Sequence, residues 1–185
     1  MRKLLALILI LALAVPAAAG ASASPALGMT LREFVTAYNS VQAPIGAPYV
    51  PLKEPYQWTD FNGYKVAFFY PTASTDILLL LMTKETESMY SSLDAVQIFS
   101  SKTEQLIAQI SITARCVDLF SDDLFGNSLS YIPVTNCIRY YYESNAEKQG
   151  MSTYVSIDSD QKYALTLMRD SYGYTFQIST VEDVQ

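Results

Sequence analysis

Histidine is absent from all 185 residues, and with it every catalytic scheme that moves a proton through an imidazole near neutral pH. Cysteine occurs only twice, too rarely to build the usual four-ligand zinc site of nitrogen and sulfur donors, and no metal is expected. The seven glycines form no phosphate-cradling loop, dinucleotide fingerprint or nucleophile elbow, so no cofactor is expected either. Charge is scarce as well, at 16% of residues against 50% hydrophobic. Arg2 and Lys3 stand at the extreme N-terminus, and without them ten basic residues face eighteen acidic ones. A nucleic-acid partner is excluded by that balance, because phosphate contacts need a basic surface.

What the chain does have begins with a leader. Met1-Arg2-Lys3 is a short positive start, Leu4–Val15 is an unbroken apolar run, and Pro16 opens a tract of small residues ending near Ala23. This is the pattern of a secretory signal peptide over residues 1–23, with cleavage after Ala19, Ala21 or Ala23. Twelve apolar residues rise only about 18 Å as a helix, short of a hydrocarbon core of roughly 30 Å. The expected mature product is exported to the periplasm or the extracellular space, soluble and without a membrane span. The second apolar block, Ile77–Met82, has the length of a buried strand.

Residues 24–55 read as an N-terminal helix and a Pro-rich connection. Thr30 and Glu33 form a capping box, Met29 and Phe34 are spaced as a hydrophobic staple, and Leu31, Phe34, Val35 and Tyr38 recur at helical spacing. Pro44, Pro48, Pro51 and Pro55 then forbid a helix or a sheet interior. In residues 56–185, Asn62-Gly63 marks a two-residue hairpin, with Phe61 opposite Tyr64, Asp60 opposite Lys65, Trp58 opposite Ala67 and Tyr56 opposite Phe69. Strands follow at 76–83 and 93–100. A second helix starts from a Ser101/Glu104 capping box and buries Leu106, Ile107, Ile110, Ala114 and Val117. A third runs from Val134 to Lys148 and ends at Gly150. Strands at 151–158, 163–169 and 174–180 complete a second meander. The whole reads as one α+β domain, a mainly antiparallel sheet with about three helices on one face, in which a helix-plus-meander unit occurs twice, as in a degenerate duplication.

Cys116 and Cys137 form the even pair that an exported chain usually oxidises to a disulfide. Asp118, Asp122 and Asp123, with Asp158 and Asp160, are the carboxylate clusters that a histidine-independent hydrolase would need, though their spacing also suits solvated acidic loops. Ser159 and Lys162 match a serine–lysine spacing, but they fall in a hairpin turn rather than on a helix, which marks the match as chance. Tyrosine is the compositional signature, with 14 residues of which Tyr140-Tyr141-Tyr142 are consecutive. Most fall on predicted strands and helix stripes and are expected to pack. In the triplet the rings sweep about 200° around a helix, so Tyr141 and Tyr142 are expected inside with Ile138, and Tyr140 outside beside Arg139. Arg139, Tyr140 and Tyr142 are therefore the candidate binding surface. The function these features favour is a non-catalytic protein that binds a protein, peptide or envelope component. The alternatives are the carboxylate hydrolase and an assembly subunit that pairs through a sheet edge.

Overall fold

The computed structural model describes residues 27–41, 49–121, 131–144, 146, 152–169 and 171–183. Helix α1 (Leu31–Ser40) begins where the sequence places it: the Thr30 side chain accepts from the Glu33 backbone N–H, and the Glu33 carboxylate accepts from the Thr30 N–H. Two backbone groups that the first turn leaves open are thereby satisfied, and the Thr30 N–H and hydroxyl, both donating to the Glu33 carboxylate, hold it below the usual carboxylate pKa. Leu31, Phe34, Val35 and Tyr38 form the buried stripe.

Strands β1 (Gln57–Phe61) and β2 (Tyr64–Phe69) meet through Asn62 and Gly63, with φ of 46° and 81°. The pairs Phe61–Tyr64, Asp60–Lys65 and Trp58–Ala67 form as the turn dictates, and the ladder ends at Gln57–Phe68. The expected Tyr56–Phe69 pair is not part of it: the Tyr56 N–H donates to Phe68 O while its ring projects into solvent. Strands β3 (Ile77–Thr83) and β4 (Ala95–Ser100) extend the meander.

Helix α2 (Leu106–Val117) is preceded by a 3₁₀ turn over Thr103–Gln105, and the expected Ser101/Glu104 capping box does not form. Ser100 supplies the local bonding instead, its hydroxyl accepting from the Lys102 N–H and donating to Lys102 O. The buried face departs in part from the apolar pattern: Ala114 and Val117 are buried as expected, but Leu106 and Ile107 are not. Ile107 is 81% exposed, while Gln109, Ile112, Thr113 and Cys116 are buried. Gln109 holds the phase, because its amide donates to Ile98 O and Tyr174 O in the sheet below. Helix α3 (Tyr131–Glu143) starts three residues before the expected Val134, with Pro133 inside its first turn, where no intrahelical donor is missed. The expected helix stretch beyond Glu143 and its Gly150 stop lie largely outside the described residues.

Strands β5 (Thr153–Ser156), β6 (Tyr163–Arg169) and β7 (Tyr174–Thr180) form the second meander. All seven strands join one antiparallel sheet in the order β1-β2-β3-β4-β7-β6-β5. Both meanders thus run inward and meet at β4–β7, a mirrored connectivity that needs no likeness between the sequences of the halves. Residues from α1, α2 and α3 share a single core with alternate strand residues such as Leu79, Ile98, Leu165 and Phe176, which places the three helices on one face. The molecule is a single α+β domain with an antiparallel sheet, as the pattern of the chain implies.

Candidate functional site

Helix α3 presents the tyrosine triplet across the edge of the core. Val134, Cys137 and Tyr141 make the buried stripe, and each neighbour of Tyr141 is turned about 100° away from it, one to either side. Tyr140 is accordingly 48% exposed, as expected. Tyr142, placed inside by the sequence reading, is 46% exposed. The correction follows from the same geometry, since a stripe centred on Val134, Cys137 and Tyr141 leaves both flanking rings on its margins.

Around this margin lie two guanidinium groups and a second ring. Arg139 stands 5.3 Å from the Tyr140 ring centroid and 4.0 Å from Glu143. Tyr142 shares a 3.1 Å hydroxyl–hydroxyl hydrogen bond with Tyr174 of β7, and the Arg169 guanidinium lies 5.0 Å from the Tyr174 ring. The bond to Tyr174, reinforced by partial burial, pushes the Tyr142 hydroxyl up to about 12, so it stays protonated across physiological pH. The exposed side of α3 thus carries an aromatic ring and a nearby cation on each margin, and the Tyr142 ring is held at both ends: by the helix at its backbone and by the sheet at its hydroxyl. Arg139 and Tyr140 are in contact, while Tyr142 stands on the other margin of the buried stripe, against Tyr174. Tyr174 and Arg169 were not singled out, because nothing local in the sequence says that β7 and the end of β6 lie under the C-terminal half of α3.

The two cysteines do not form the expected bridge in the structure, where both are free and buried. Cys137 faces the sheet, its thiol directed at Leu165 O at 3.4 Å and Thr153 O at 3.7 Å. Burial raises both thiol pKa values, that of Cys137 to about 12, which leaves them as weak nucleophiles.

Beside Cys116, Arg115 is a buried cation that the sequence reading overlooked. Its guanidinium donates to Tyr38 O and Val41 O at 2.5–3.0 Å and lies 4.7 Å from the ring centroids of both Tyr38 and Tyr49. These carbonyls close the last turn of α1, which has no basic residue of its own there, so Arg115 caps α1 from α2. A charge interrupting an otherwise apolar helix was the available signal.

Of the first carboxylate cluster only Asp118 is among the described residues. Asp118 is half-buried and pushed up to about 6, by burial first and against the attraction of Arg115. Asp122 and Asp123 lie outside the described residues. Asp158 accepts from the backbone N–H groups of Lys162 and Tyr163, which makes it the closing residue of the β5–β6 turn rather than half of an acid–base pair. Lys162 stands over the Tyr163 ring in that same turn. Among the described residues no group of three potential metal ligands is found, and no helix is long and apolar enough to cross a membrane. A hollow of about 310 Å³, lined by Tyr49, Thr72, Ser74, Gln105 and Ala108 among others, offers no charged group.

The chain matches no protein-family model, and comparison with curated proteins and with solved structures gives no relative. The patch on α3 therefore stands on its own geometry.

Proposed function

We propose that this chain is an exported, non-catalytic binding protein that engages a protein, peptide or envelope component through the aromatic patch on α3. The observation that carries this reading is the Tyr142–Tyr174 hydroxyl bond. It anchors a half-exposed ring to the sheet, so that little side-chain entropy remains to be lost when a partner arrives. Tyrosine and arginine on a prepared surface are the side chains that carry most binding energy at interfaces. Export follows from the leader pattern at residues 1–23.

The test is Tyr140→Ala, compared with the unaltered protein for thermal stability and for retention of components from the native envelope and extracellular fractions. The expected result is a melting temperature within about a degree of the parent and at least a tenfold weaker retention, equivalent to roughly 1.4 kcal/mol. A fall in melting temperature with retention unchanged would assign Tyr140 to packing and remove the proposal.

A further inference from the structure

The sheet has a second face, and it is apolar over only half its width. Val66, Phe68, Leu78, Leu80, Met82 and Phe99 form a separate cluster there, each between 0% and 7% exposed. Every member of that cluster comes from β1–β4 or its flanking residues, and none comes from α1, α2 or α3, which occupy the other face. Across the central pair the face turns polar: the Gln97 amide donates to Gln177 at 2.7 Å, while Gln97 Oε1 and Thr166 Oγ1 are buried without a hydrogen-bond partner among the described residues. We propose that the β1–β4 half of this face is the seat of the chain's own apolar N-terminal segment, Leu4–Val15.

Size, charge and reach point to this occupant. Four strands at about 4.8 Å spacing and six residues in length present a patch roughly 15 by 20 Å. A twelve-residue helix, about 18 Å long and 10 Å wide, matches it. A second copy seated on the same patch would bury on the order of 300 Å² from each molecule, about 600 Å² in all, under the ~1,000 Å² total of a stable interface. Leu4–Val15 contains no charged or polar side chain, which suits a patch without ionised groups and places it on the near side of Gln97, where no unpaired amide would face it. The described chain begins at Leu27, whose N–H donates to Leu93 O and whose carbonyl accepts from the Tyr163 hydroxyl, so it starts beside the entry to β4 and β6. The eleven residues 16–26 extend to about 36 Å at most, enough to round that end of the sheet to the other face. Wherever the leader is removed, the same patch is turned over to water.

Two forms decide the matter: residues 1–185 made without export, and residues 24–185. The expected result is at least fivefold more fluorescence from the apolar dye ANS on 24–185 than on 1–185. A synthetic peptide of residues 1–19 should reverse that difference, and Leu80→Ala should weaken the peptide at least fivefold while Tyr140→Ala leaves it unchanged. The Tyr140 arm keeps failure here separate from failure of the α3 patch. Equal dye binding by both forms would overturn the proposal, as would a 24–185 dimer that excludes the dye. If 24–185 does not fold, a photoreactive residue at Leu80 of the 1–185 form replaces it. Capture of residues 4–15 supports the proposal, and capture of any other segment overturns it.

Discussion

Tyr141 is wholly buried while the rings on either side are half exposed, and that contrast is a matter of residue phase on one helix. The same scale governs Asp118. Its pKa is raised from 3.8 to about 6, with burial as the first cause. A carboxylate whose folded pKa lies above its unfolded one favours folding in its protonated form, so its contribution is complete below about pH 4 and is lost as pH rises through about 6. Asp118→Asn is therefore expected to melt higher than the parent at pH 7–8, with the advantage closing as the pH is lowered toward 4. Melting curves across that range check both sign and window. The cysteines give a second prediction. As free, buried thiols with raised pKa values, they should resist labelling in the native protein and give two adducts under denaturing, non-reducing conditions. Zero adducts on exported protein would restore the bridge expected from the compartment.

Among the elements, the β1–β2 hairpin was legible to the residue because its turn is chemical. Only a few residues tolerate positive φ at both central positions, and Asn62-Gly63 then fixes which side chains face each other. Replacing Gly63, at φ 81°, by valine puts a β-branched side chain into the left-handed region. It is expected to cost about 1–3 kcal/mol, read as a lowered midpoint in chemical denaturation. Helix α2 was not legible to the same degree. Its apolar residues spread around the helix, and what fixes the buried face is Gln109 donating to two carbonyls on β4 and β7 and Arg115 donating to the end of α1. Both are polar side chains that a hydrophobic pattern discards, and both can be buried because their donors meet backbone carbonyls.

For the whole molecule, the decisive contact is the one between the halves. Strands β4 and β7 pair through Val96–Ile178, Gln97–Gln177 and Ile98–Phe176, and at the end of that seam the chain of Gly173 passes very close to Ser100. A Cβ at Gly173 would sit 2.0 Å from Ser100 O and 2.9 Å from the Ser101 Cα, both backbone atoms that cannot step aside. Gly173→Ala should therefore separate the end of the seam and lower stability by several kcal/mol, with hydrogen exchange rising first in β4 and β7. Unchanged exchange at those strands would mean the halves dock without this approach. Seen at this scale, the aromatic patch is a product of the seam too, since it is β7 that brings Tyr174 beneath Tyr142.

By itself the sequence determined the local structure wherever the reason for it was local. The capping box of α1, the Asn62-Gly63 turn, the lengths of β3, β6 and β7, and the α+β alternation follow from backbone chemistry and the period of apolar residues, which act over a few residues and need no partner. The tertiary structure alone decided that both rings flanking Tyr141 on α3 stay half exposed, which face of α2 is buried, and that the cysteines look to separate surroundings. It also decided that the sheet has an apolar half on the face away from its helices. Each of these depends on a carbonyl, a ring or a strand of another element, and the free energy that selects them exists only once those elements have packed together.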